Sequence, residues 1–201
     1  LIGYFFARKN FAFKKLIMSF FFLLLVLPPV VTGYLLLILF GKNGPIGSFL
    51  LDYFNFTFAF KWTGAAFACA IMGFPLMVRS IKLAIEMIDT KIEKAAMTLG
   101  ANRFIVFFTI TLPLALPGVI AGFILSFARS LGEFGATVTF VSNIPGETQT
   151  LSAAIYTFLQ IPNGEYFAMR LTIISILISV SALVLSETIF DRFIKYKREK
   201  I

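Results

Sequence analysis

The chain has 201 residues, 59% of them hydrophobic and only 14% charged, and its mean hydropathy is +0.91. Soluble domains carry about a quarter charged residues, and an excess of apolar surface this large cannot be hidden in one water-soluble core. The expected class is an all-α integral membrane protein, with length for roughly four to six helical spans of ~20 residues and nothing left over for a separate soluble domain. A formal net charge of +8 suits nucleic acid in principle. Here the cations cluster at the ends of apolar runs, as at a membrane boundary, and no nucleic-acid partner is expected. The lack of any histidine removes His-based metal sites and His general bases. The single cysteine, Cys69, allows no intrachain disulfide.

Residue 1 is Leu, no signal peptide is evident, and residues 1–7 look like the tail of a longer apolar helix. After Arg8, Lys9, Lys14 and Lys15 comes an uncharged run, 16–40, long enough to span with some tilt. Pro28-Pro29 near its middle predicts a kink or break. Residues 41–60 hold turn formers (Gly41, Asn43-Gly44-Pro45, Gly47) and aromatics, which suits an interfacial loop. The run 62–78 is uncharged, bounded by Lys61 and Arg79, with Pro75 near its end. Residues 81–103 are polar and charged; 105–128 are again uncharged, with Pro113 and Pro117 inside. A mixed Gly-, Thr- and Ser-rich stretch, 132–166, precedes the last uncharged run, 171–186, and a basic tail, 192–200. One membrane domain over 1–201 is expected, with spans at about 16–40, 61–84, 105–130 and 168–190.

The cations divide unevenly between alternate loops. Segments 8–15, 79–103 and 192–200 hold fourteen of the eighteen Lys and Arg residues, leaving Lys42, Lys61, Arg129 and Arg170 for the other side. The positive-inside rule then places the Thr90 segment and the C-terminus in the cytoplasm. Residues 148–164 are also uncharged and about long enough to cross. A crossing there would put the basic tail outside, so a re-entrant or interfacial helix is expected.

The stretch TKIEKAAMTLGANRFIVFFTITLP, residues 90–113, places a short charged helix between two apolar spans. Thr90 and Glu93 fit a capping box, with the Thr90 hydroxyl accepting from the Glu93 N–H and the Glu93 carboxylate accepting from the Thr90 N–H. Gly100 supplies a left-handed stop. The predicted helix covers 91–99, with Ile88, Ile92, Ala95 and Leu99 on one face and Glu86, Lys91 and Lys94 largely off it. From periodicity alone, an amphipathic connector lying on the lipid surface is the competing reading.

On the following span Gly118, Gly122, Ser126 and Ser130 recur every fourth residue. Such a small-residue stripe lets helix backbones approach closely in lipid, either within one subunit or across a dimer interface, and in the latter case its hydroxyls could line a substrate path. Arg129 and Glu133 follow at i, i+4 near the end of the span. A lone intramembrane charge costs about 2.5–3.5 kcal/mol on insertion scales, so a structural ion pair is one reading. The other has Arg129 attracting an anion, with Glu133 weakening any static trap. Glu187 and Asp191, beside the basic tail, are expected to be boundary charges.

Several strings carry a family resemblance. The spacing Glu93, Ala95-Ala96, Gly100, Ile110, Leu112-Pro113 resembles the EAA loop of ABC-importer permeases. LPPVVTGY (27–34) and FPLMVR (74–79) resemble the second helix and the entry to the coupling loop of molybdate permeases. FARSLGEFGA (127–136) is similar to the signature shared by molybdate and sulfate permeases, and VSNIPGETQT (141–150) to the molybdate branch. The resemblance covers nearly the whole chain.

It implies a type I importer permease fold in a bacterial or archaeal cytoplasmic (inner) membrane, working as a homodimer. It also implies a separate cytoplasmic ATPase dimer and a periplasmic or extracellular binding protein for molybdate or tungstate. Thr90, Glu93, Ala95, Ala96, Leu99, Gly100 and Pro113 are then the ATPase-coupling residues. Ser126, Arg129, Ser130 and Glu133 become substrate-path candidates, and Gly118 and Gly122 packing positions. Sulfate or thiosulfate import is the alternative. Lys94 departs from the pattern, standing where many members carry Glu, so Glu93 alone can serve as the acid. The family also carries a complete helix ahead of the position of Leu1.

The residues agree on one point by themselves. No G-x-x-x-x-G-K-[ST] phosphate loop is present, so ATP would be used by another chain and no cofactor is expected here. An intramembrane enzyme would need paired Asp, a Ser/His couple or metal ligands within the spans. No histidine exists, and no acid lies inside 16–40, 62–78 or 105–128. A passive channel leaves the charged helix at 90–100 without a purpose.

Overall fold

The computed structural model describes the backbone of residues 1–198, and side chains as far as Leu185 together with Thr188. The side chains of Glu187, Asp191 and the basic tail lie outside the described residues. All described elements are helical: α1 (Ile2–Arg8), α2 (Lys14–Val26), α3 (Pro29–Phe40), α4 (Pro45–Phe54), α5 (Trp62–Glu86), α6 (Thr90–Thr98) and α7 (Arg103–Val106). A π turn (Phe107–Thr111) joins α7 to α8 (Leu112–Leu131), followed by α9 (Gly135–Val141), α10 (Leu151–Leu159) and α11 (Glu165–Arg198).

Three helical stretches are long and apolar enough to cross a membrane: Trp62–Glu86, Arg103–Leu131 and Glu165–Leu185. The 25 residues of α5 extend about 37 Å, against a hydrocarbon core of ~30 Å. The run 16–40, where a kink or break is expected, consists of two helices, α2 and α3, bent by 110° at the prolines; taken together the pair is long and apolar enough for a fourth, broken span or a re-entrant loop. Pro28 caps α3 and Pro29 opens it. A proline at the first helical position has no N–H to waste there, so the pair that stops one helix starts the next.

The expected loop at 41–60 also contains a helix. Gly44-Pro45 begins α4, and Asn55 ends it in the left-handed region at φ 50°, so the turn formers are its caps rather than a substitute for it. At nine residues, α10 extends only about 13 Å and is too short to cross.

The chain folds as two compact units. The first comprises Leu1–Ser19, Leu76–Leu125 and a C-terminal stretch from Ala182; the second comprises Phe20–Pro75 and Ser126–Ser181. In the second, α3 packs along α9 around Leu36, Ala68, Met72, Ala136, Phe140 and Val141. Rings of Phe40, Phe58 and Phe67 close its side, with centroids 4.7–5.8 Å apart.

The small-residue stripe of α8 lies against α5 of the same chain. Within the first unit, a Cβ on Gly118 would overlap the Ala84 methyl, and one on Gly122 would sit 3.0 Å from the Met77 carbonyl oxygen. The Ser80 hydroxyl donates to the Gly118 carbonyl at 3.0 Å. Within the second unit, Ser126 sits against Gly73, and the single proton of the Ser130 hydroxyl is shared between the carbonyls of Ser126 (2.9 Å) and Cys69 (3.2 Å). The stripe thus makes packing contacts within one chain. Lipid gives helices no hydrophobic reason to associate, so close approach and hydroxyl–carbonyl bonds take over.

Gly118→Val should therefore lower the melting temperature in detergent, at a cost of about 1–3 kcal/mol for overpacking. Gly132→Ala is the matched control, because a Cβ there meets nothing within 4 Å. Equal melting of the two variants would remove this account of the stripe.

Candidate functional site

The charged helix α6 begins at Thr90, but its cap differs from the expected capping box. Asp89 is the N-cap, its side chain accepting from the Lys91 N–H at 2.9 Å. An Asp at this place fills the role as well as a threonine, and sits one residue earlier. Glu93 is thereby released from capping.

The C-terminal end is defined by two backbone bonds. The Gly100 N–H donates to Met97 O at 3.1 Å and the Ala101 N–H to Ala96 O at 3.1 Å, with Gly100 at φ +91°. This pair is a Schellman motif, and its left-handed residue favours glycine. Two residues later Asn102 caps α7, accepting from the Ile105 N–H at 2.9 Å. The turn between α6 and α7 is thus closed at both sides.

The freed Glu93 turns inward and is only 7% exposed. Its carboxylate accepts from Arg8 of α1 (Nη2 at 3.1 Å, Nε at 3.3 Å to Oε1, with Nε 3.1 Å from Oε2). It also accepts from the Thr111 hydroxyl at 2.8 Å. Arg8 Nη2 donates in addition to the Ile88 carbonyl at 2.9 Å, just ahead of α6. One buried acid therefore ties α6 to α1 and to the start of the α8 span.

Thr111 ends the π turn and is fully buried. The turn lies directly before Pro113, whose ring must clear the carbonyl of Thr109 in any helix running through it. Widening the helix there also aims Thr111 at Glu93.

The remaining surface of α6 is free. Met87 and Leu99 are 88% and 89% exposed; Ile92 and Ala95 are exposed as well, and Ala96 is half-buried. Pro113 is exposed near the start of α8. Of the residues expected to couple, Glu93 is thus internal, while Thr90, Ala95, Leu99 and Gly100 stand on the surface.

The second acidic site lies on the other unit. Glu133 is 1% exposed; its Oε1 accepts from the Ala136 N–H at 2.9 Å, in the first turn of α9. Its Oε2 pairs with Arg129 Nη1 at 2.8 Å. The pair anchors the α8–α9 junction. Arg129 remains partly exposed, whereas Ser126 and Ser130 are engaged with α5. Among the described residues no three His, Cys, Asp or Glu side chains converge as a metal set.

Arg8, Asp89, Asn102 and Thr111 were not among the residues singled out from sequence. Asp89 and Asn102 have local capping signals, since each directly precedes a helical pattern. Arg8 and Thr111 have none; Arg8 lies 85 residues from its partner.

A multi-helix apolar chain with a short, capped, charged helix between two apolar spans defines a membrane protein. Residues 1–196 match the family described as binding-protein-dependent transport system inner membrane component, and the chain belongs to that family. It is accordingly a multi-pass inner-membrane transport permease with the all-α type I fold of that family. It is 60% identical over 189 residues to the molybdenum transport system permease protein of Escherichia coli, covering 92% of this chain and 82% of that one. The corresponding protein of Haemophilus influenzae is 55% identical over 194 residues, 96% and 85% of the two chains. A sulfate transport system permease protein of Salmonella typhimurium is 36% identical over 185 residues, 92% and 65%.

The clamp makes an ordered prediction. Arg8→Met leaves a buried carboxylate unpaired and should cost about 3–5 kcal/mol. Thr111→Val removes one donor and should cost about 1–3 kcal/mol. Adding Glu93→Gln to Arg8→Met should recover much of the loss, and a double-mutant cycle in thermal unfolding reads the coupling directly. Additive losses would show that the three groups do not act as one.

Proposed function

We propose that this chain is the membrane-spanning subunit of an ABC importer for molybdate or tungstate. In this reading it acts as a homodimer with a separate cytoplasmic ATPase dimer and an external oxyanion-binding protein. The observation that carries the reading is α6. Ile92 on the helix, Met87 just ahead of it and Leu99 at its C-cap are exposed, while the helix is bonded to two further elements through Glu93. A surface of that kind is built to be pushed.

ATP-driven closure of the partner ATPase moves α6, and the Glu93 contacts pass the displacement to α1 and, through Thr111, to the α8 span. Alternating access follows when such spans rearrange as rigid bodies. Support for a cytoplasmic α6 comes from the cation distribution along the chain. Two copies per transporter follow from the family resemblance, since the small-residue stripe is already engaged within one chain.

Support for molybdate comes from the relatives named for molybdenum transport and from the residues 141–150. Sulfate is the second reading, favoured by the sulfate relative, which matches over nearly as much of this chain. A competition assay with the reconstituted transporter separates them. Molybdate and tungstate should each suppress labelled molybdate uptake strongly, with sulfate at equal concentration much weaker. Equal suppression by sulfate would favour the second reading.

Gly100 isolates the lever from everything else. A Cβ at this position meets nothing within 4 Å, so Gly100→Val disturbs only the left-handed backbone, at about 1–2 kcal/mol. The variant should insert and bind its ATPase, yet show ATP hydrolysis uncoupled from uptake. Normal uptake per ATP hydrolysed would sink the coupling role of this helix.

A further inference from the structure

The side of α6 opposite its free surface lines a cavity of ≈ 650 Å³ in the first unit, shared with α1, α7 and the π turn. Tyr4 and Phe107 line it, meeting edge to face at 5.0 Å. Phe104 and Phe108 stand beside it, 78% and 61% exposed. Its charged lining residues are Arg8, Lys9, Lys94 and Arg103 against a single acid, Glu93.

The Arg8–Glu93 pair neutralises itself. Among the described residues Lys9, Lys94 and Arg103 have no ion-pair partner, and all three are exposed. Three unpaired cations and four aromatic rings lining one cavity, at the end of an apolar span, match one chemistry: a phosphate ester joined to hydrocarbon.

We infer that this cavity is a binding site for an anionic phospholipid. The headgroup phosphate is held by Lys9, Lys94 and Arg103, and the first methylenes of the acyl chains lie on Phe104 and Phe108. The basic side of an inner-membrane protein faces the leaflet where cations between helix ends attract acidic headgroups, each Lys or Arg adding to the attraction. Aromatic rings at the level of the headgroups suit the glycerol boundary.

The inference rests on the cytoplasmic orientation proposed above, but not on the transported anion. It also assigns the two sides of α6 to different partners. Thr90, Glu93, Lys94 and Met97 face the lipid cavity, whereas Ala95 and Leu99 do not line it. A lipid seated there would brace α6 against α1 and α7.

The test uses the permease together with its ATPase, reconstituted in nanodiscs of phosphatidylcholine containing phosphatidylglycerol, then released for native mass spectrometry. The wild-type complex should retain phosphatidylglycerol. The Lys9→Gln, Lys94→Gln, Arg103→Gln triple variant should retain it about tenfold more weakly, and Lys42→Gln should match wild type. The single variant Arg103→Gln, at an exposed position, gives an intermediate loss and guards against misfolding of the triple variant. Undiminished retention in both the single and triple variants would overturn the site. Loss of ATPase from the triple variant with lipid retention unchanged would also overturn it, reassigning the cations to the protein partner. Because retention is read without transport, a failure of the molybdate assignment would leave this result standing.

Discussion

The buried carboxylate of Glu93 is the contact on which the working end of this protein depends. A charge at 7% exposure is tolerable only when paired and hydrogen-bonded, since its desolvation costs several kcal/mol. Arg8 supplies the pairing and Thr111 a second donor, so the acid can be satisfied only where three elements meet. That requirement holds α6 in place more firmly than its own nine residues could. A helix this short is marginal in water by propensity alone. Its Asp89 cap and Gly100 stop define where it ends; Glu93 defines where it sits.

The same economy governs the packing of α8 on α5. Lipid tails compete on equal terms with apolar side chains, so helix association has to come from close backbone approach and from satisfied polar groups. Gly118 and Gly122 provide the approach, and the hydroxyls of Ser80 and Ser130 bond carbonyls across the contact.

Much of this arrangement is legible in the chain itself. Long uncharged runs mark α5, α8 and α11, and the cations between them mark the boundary. Pro28-Pro29 announces a break, although the size of the bend depends on what α3 packs against, which is α9, a hundred residues away. Gly44-Pro45 and Asn55 are as characteristic of helix caps as of loops, and the mostly apolar residues between them cannot choose. The shift from Thr90 to Asp89 is one residue, yet it changes the chemistry of Glu93 from a local cap to a long-range anchor. The π turn is only half coded in the sequence. It follows from Pro113 together with a buried partner for Thr111, and only the second is tertiary.

Glu133 repeats the solution of Glu93 in the other unit, and the comparison bears on how an oxyanion could pass. Both acids are buried, each is paired with an arginine, and each gives one oxygen to a structural hydrogen bond. Arg129 is therefore already neutralised, and a dianion approaching it meets a charge pair rather than a free cation. A free arginine in low dielectric would bind such an anion tightly and release it slowly. Conduction needs binding strong enough to admit the ion and weak enough to let it leave. In the proposed transport cycle, neutral donors such as backbone N–H groups and hydroxyls meet that condition better. The acid beside Arg129 then serves turnover by preventing a trap, while its other oxygen holds α9 in place.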